Sequence, residues 1–195
     1  MLGWKHQMKS PTKSDNTNTP AKIALRKVFL KYIDNPKILE CFAGVERKMK
    51  VAYEGYETTA LDLKKSPGVK RIDNKIFVSK HADDFNYFDM DAYGSPYELM
   101  ITLFAKRTIS DTFVVIITDG MKLNLNYQHA SNIIQTTANL PSKIQVPSLY
   151  LFQKELIWYV LKAASKRYNI TITHPMIVNG ETGNMQYYGF VASKA

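Results

Sequence analysis

The apolar positions of this chain change period several times, and each change marks an element. Over AKIALRKVFLKYI the residues Ile23, Leu25, Val28, Phe29 and Tyr32 recur at helical spacing, while Lys22, Arg26, Lys27 and Lys31 gather on another side, which predicts an amphipathic leading helix. KILECFAG is a short apolar run closed by a glycine and reads as a buried strand; the helix-like VERKMKVAYEG and a second strand, YETTALDL, follow. The alternation continues through KIFVS, read as a third strand, and NYFDMD, then the helical SPYELMITLFAKR. In DTFVVIITDG a run of apolar and β-branched residues fits a strand covered on both faces, as in a parallel sheet.

Beyond Gly120 the pattern predicts a helix around 127–138, a loop marked by Pro141 and Pro147, and a long amphipathic helix opening at Ser148. NITITHPMIV and MQYYGFVAS then read as two strands joined by NGETGN, short enough for a hairpin, so the last strand is expected to run antiparallel to its neighbour. No internal repeat is visible.

Composition narrows the class. A chain of 195 residues, 45% of them hydrophobic, buries one sizeable core, so we expect a single domain over 21–195. Residues 1–20, MLGWKHQMKSPTKSDNTNTP, are polar, basic and proline-punctuated, and read as a flexible tail. The sequence has neither the roughly 20 consecutive apolar residues of a membrane span nor a secretory signal, so a soluble, cytoplasmic protein is expected. The single cysteine, Cys41, lies in the first strand's apolar run and reads as a buried thiol. His6, His81, His129 and His174 show no ligand spacing, so no metal site is assigned. The formal charge of +9 favours polyanionic partners, nucleic acid first among them. Oligomeric state is left open.

Candidate chemistry sits in the turns after the strands. ILECFAG places an acid, Glu40, before a glycine loop at Gly44, where a residue without Cβ lets backbone approach a nucleotide-like ligand. Asp62 follows 22 residues after Glu40, at the end of the second strand, the place of a ribose-binding carboxylate. KHADDF adds Asp83 and Asp84, and YFDMDAYGSP brings Asp89, Asp91 and Tyr93 to the end of the fourth strand. That last run also reads as a strand-to-helix turn, with Ser95 as cap and Pro96 at the first helical position.

Together these turns resemble the Rossmann-like methyltransferases that use S-adenosyl-L-methionine. Asp-Met-Asp-Ala-Tyr-Gly-Ser-Pro is most similar to the fourth-strand motif of the tRNA guanine N2-dimethyltransferases; ITDG and the segment from Glu155 through AASKRYNITITHPM resemble later parts of that family, over roughly residue 37 to the end. Ala92 replaces the motif's first proline, the second glycine of the first loop is missing from AGVERKM, and the family's extra C-terminal domain is not in this sequence.

The resemblance implies an α/β fold with a mostly parallel seven-stranded sheet, a C-terminal antiparallel hairpin and helices on both faces. It implies S-adenosyl-L-methionine bound by Glu40, Phe42, Gly44 and Asp62, with Asp83, or Asp84 in its place, on the adenine amine. Asp91 would receive the hydrogens of an exocyclic amine and Tyr93 would stack on the base. The implied reaction is methyl transfer to a nucleic-acid base, RNA before DNA; the alternative is a catalytically inactive relative that binds the cofactor or nucleic acid.

Overall fold

A computed structural model describes residues 18–92, 94–120, 136, 149–180 and 185–195. Its strands are β1 (Ile38–Cys41), β2 (Thr58–Asp62), β3 (Lys70–Arg71), β4 (Tyr87–Met90), β5 (Thr112–Asp119), β6 (Ile170–Asn179) and β7 (Gln186–Lys194). They form one sheet in the order β3-β2-β1-β4-β5-β7-β6. The first five are parallel neighbours, whereas β7 runs antiparallel to both β5 and β6, which is the expected C-terminal hairpin. Helices α1 (Thr19–Leu30), α2 (Asn74–His81), α3 (Tyr97–Lys106) and α4 (Gln153–Tyr168), with 3-10 turns at Lys48–Tyr53 and Leu149–Phe152, complete the described chain.

The sheet is covered on both sides, and the composition of its strands requires it. Every residue of β1 and β4 is buried, as is all of β5 except Thr112. On one face Leu25, Phe29 and Leu30 of α1 and Met49 and Tyr53 of the 3-10 turn pack over Ile38, Tyr87, Val114 and Ile116. On the other, Phe77, Met100, Phe104 and Ile157 from α2, α3 and α4 close over Leu39, Phe88 and Val115. Gly189 lets α1 approach β7, because a Cβ there would stand 2.5 Å from the Phe29 ring and 2.7 Å from Ile116.

Four expectations change. KIFVS is helix, not strand: the Asp73 carboxylate accepts the backbone N–H groups of Lys75 and Ile76, a capping arrangement that starts α2 and leaves only Lys70–Arg71 as the third strand. A five-residue apolar run fits either state, and the cap decides it. Helix α1 begins at Thr19, so the tail's last two residues belong to it. Arg26, grouped by sequence with the exposed cations, is fully buried. α3 starts at Tyr97, with Pro96 in the cap position and the Ser95 hydroxyl making no capping bond. The helix expected around 127–138, the loop of Pro141 and Pro147, Ser148, residues 181–184 of the hairpin turn and residues 1–17 lie outside the described residues.

Candidate active site

Parallel strands deliver their side chains to one edge, and here the direction of winding reverses between β1, which continues to β2 and β3, and β4, which continues to β5. The crevice outside the carboxyl ends of those strands is where open α/β sheets bind ligands. The loop leaving β1 is shaped for such a place: Phe42, Gly44 and Arg47 all have positive φ, at 58°, 67° and 44°. Glycine suits the second, where a Cβ would project into open space.

Asp62 ties this loop to β2. One of its carboxylate oxygens accepts the Gly44 N–H at 2.9 Å and the other the Lys64 N–H at 2.8 Å. The Phe42 N–H reaches Asn74 Oδ1 at 3.4 Å, and its half-buried ring packs on the core. Glu40, Phe42, Gly44 and Asp62 are thus brought to one edge of the sheet. Glu40 is 1% exposed; Oε2 receives Arg47 at 2.8 Å and 3.2 Å, while Oε1 has no hydrogen-bond partner. Burial pushes its carboxyl up, against the pull of Arg47.

Asp83 and Asp84 do not join this set, which corrects the adenine assignment. With KIFVS helical, both follow the C-terminus of α2, and the return helix carries them to the amino ends of the strands. There Asp83 accepts the Thr108 and Ile109 N–H groups from the α3–β5 connection, and Asp84 pairs with His81 at 2.7 Å. The residues that follow β3 at the carboxyl edge are Asp73 and Asn74. Sequence reading missed them, although an Asx pair ahead of an apolar helical run is a capping signal.

At the end of β4 two aspartates two positions apart point to the α1 side. Asp89 is completely buried, gripped by both Arg26 Nε at 2.7 Å and Nη2 at 2.6 Å, and receives the Tyr53 hydroxyl at 2.7 Å. Burial pushes the Asp89 carboxyl up against the attraction of Arg26. Asp91, its side chain 18% exposed, sits at the edge; its two oxygens receive the Lys22 ammonium at 2.6 Å and 2.9 Å, and Arg26 lies 3.8 Å away. Burial alone raises the Asp91 carboxyl, but the charges of Arg26 and Lys22 outweigh it and hold it below the ordinary carboxylate value.

The turn after Asp91 is tight. The Ala92 N–H donates to Met90 O at 2.9 Å, so the proline of the family motif would forfeit a bond this chain makes. Gly94, with φ 134°, holds the Gly120 N–H through its carbonyl at 2.9 Å and so joins the ends of β4 and β5. Tyr93 lies outside the described residues. On the opposite face, buried Asp119 at the end of β5 receives Tyr97 Oη at 2.9 Å and Gln153 Nε2 at 3.3 Å.

Sequence reading therefore found the carboxylates and missed their cations. A signal for Arg26 was present: Leu25, Phe29 and Leu30 place buried side chains on both sides of its helical position.

No protein-family model and no curated protein matches the chain. Solved structures do. Similar ones include Trm1 from Pyrococcus horikoshii in complex with S-adenosyl-L-methionine (TM-score 0.54, 14% identity, 94% of this chain and 57% of that one) and the N-methyltransferase NodS from Bradyrhizobium japonicum in complex with S-adenosyl-L-homocysteine (0.57, 9%, 97% and 94%). Another is the 1,6-didemethyltoxoflavin-N1-methyltransferase of Burkholderia thailandensis (0.51, 14%, 93% and 80%). The chain spans little more than half the length of the first. At these identities the likeness is one of fold, and with the observed strand order it defines the class: the chain has the Rossmann-like methyltransferase fold.

Proposed function

We propose that this protein transfers a methyl group from S-adenosyl-L-methionine to an exocyclic amine of a nucleic-acid base, in RNA of a tRNA-like kind. The observation that carries the reading is Asp91: a carboxylate at the end of β4, beside the crevice, with a nitrogen already seated on both its oxygens.

The residues fit the cofactor. Glu40 Oε1 is a buried acceptor without a donor, and S-adenosyl-L-methionine carries an ammonium to satisfy it. Asp62 would accept from the ribose hydroxyls, in exchange for or beside the Gly44 and Lys64 N–H groups. Asp73 and Asn74, next along the same edge, are the residues that would take the place of Asp83 and Asp84 toward the adenine. When bound, the cofactor supplies an electrophilic methyl group.

The chain's own task is to make a weak nucleophile point the right way. An exocyclic amine delocalises its lone pair into the ring; Asp91, held as the anion, accepts an N–H and turns that lone pair outward. Arg26, Asp89 and Tyr53 fix the strand end from below and so set where the Asp91 carboxylate stands. Acceleration then comes from positioning. A base within a duplex must first leave the stack, and Tyr93 is the residue offered to receive it.

A second reading is supported by the same pair. Lys22 neutralises Asp91, and a relative that binds without turning over would carry such a lock. Incubation with labelled methyl donor and separate tRNA, rRNA, DNA and protein pools, followed by mass spectrometry of the nucleosides, separates them. An N-methylated base from the RNA pool is expected. Label in none of the pools, with donor binding intact, would leave the binding relative.

A further inference from the structure

A groove runs between α1 and the 3-10 turn and reaches Arg47 of the loop that leaves β1. It consists of two adjoining surface cavities of about 380 and 430 Å³ that share Val51, Glu54 and Tyr56. Val51 is 59% and Tyr56 45% exposed, a large apolar and an aromatic side chain standing together in water. Around them stand Lys27 of α1, Lys31 just past its C-terminus, Lys50 on the 3-10 turn, and Arg47, which is paired with Glu40. Among the described residues no carboxylate lies within 4.0 Å of any of these three ammonium groups, whereas Lys22, Lys48 and Lys75 are all paired. Glu54 is the one acid in the lining.

Unpaired cations flanking an accessible aromatic face are what a single-stranded nucleic acid needs: phosphates exchange their counterions for the lysines, and a base stacks on the ring. An acidic peptide without aromatic side chains would use the cations but leave the Tyr56 ring in water. We infer that this groove holds a single-stranded RNA segment, with Tyr56 as stacking platform and Lys27, Lys31 and Lys50 as phosphate contacts. The choice of RNA as the strand rests on the proposed function; the charge and the exposed ring do not.

The test is fluorescence anisotropy of the full chain with a labelled single-stranded RNA dodecamer, without methyl donor. Replacing Lys27, Lys31 and Lys50 together by Gln should weaken binding at least tenfold and flatten the salt dependence by about two, from ~0.7 per phosphate contact in single strands. Tyr56→Ala should cost about five- to tenfold, and Tyr56→Trp should restore it. Circular dichroism checks that each variant is folded. Wild-type affinity in the folded triple variant would overturn the assignment, as would equal binding of a DNA dodecamer or of a polyglutamate peptide. Calorimetry with S-adenosyl-L-methionine reads the proposed function separately: no donor binding would sink that reading and leave the anisotropy result standing.

Discussion

The ammonium of Lys22, the fourth residue of the first helix, lies 2.6 Å and 2.9 Å from the two carboxylate oxygens of Asp91, 69 residues away at the end of β4. It occupies the place where the proposed function puts a substrate amine. A substrate amine that takes this place competes with Lys22 for the carboxylate. Lys22→Gln should therefore raise kcat/KM for the acceptor by about tenfold with an unchanged donor Kd, whereas Asp91→Ala should slow single-turnover transfer by at least about a hundredfold. Rapid-quench kinetics with the modified nucleic acid decides it. If Lys22→Gln is as slow as Asp91→Ala, the lysine works with the aspartate and does not block it.

The same pair has a pH signature. Arg26 and Lys22 hold the folded Asp91 carboxyl below its ordinary value, so it binds a proton less readily folded than unfolded. Its contribution is then complete above the unfolded value of about 4 and is lost as the pH falls through the lower, folded one. Asp91→Asn should be less stable than wild type by about 1–3 kcal/mol at pH 6, the scale of a charge-assisted hydrogen bond. The gap should narrow as the pH falls below about 4. Urea midpoints across that range measure it, and a gap independent of pH would remove the ion pair as its cause.

Asp62 holds the Gly44 N–H and stands at the ribose position of the proposed site. Asp62→Ala should weaken S-adenosyl-L-methionine binding by about 1–3 kcal/mol. Titration calorimetry is the measurement. Equal affinity in a folded variant would take Asp62 out of the cofactor site.

Gly189 reports on how α1 is seated. A methyl group there would meet Phe29 at 2.5 Å and Ile116 at 2.7 Å, so Gly189→Ala should destabilise the fold by about 1–3 kcal/mol through overpacking. Combined with Phe29→Leu it should cost less than the two single changes added together, because the smaller side chain yields the space. Strict additivity in denaturant titrations would show that the ring and the glycine do not meet.

How far the sequence reaches depends on what each residue answers to. The periods of apolar residues determined β1, β2, β4 and β5, the paired final strands and helices α1, α3 and α4, because burying one face of a strand or helix is a local demand that repeats along the chain. β5 was legible as a strand covered on both sides, since a run without polar positions has nowhere else to go. The acids at strand ends were legible too: Glu40 and Asp62, with the loop glycine Gly44, meet at one edge because parallel strands all present their carboxyl ends there. Where local signals were balanced, as in KIFVS, a single capping carboxylate at Asp73 tipped the segment to helix and sent Asp83 and Asp84 to the wrong end of the sheet for the role expected of them. The partners of the acids belong to the tertiary structure alone. Nothing in the spacing of Lys22 and Arg26 announces Asp91 and Asp89, since an ion pair between residues more than sixty positions apart exists only once the packing of Phe29 against Gly189 has laid α1 across the sheet.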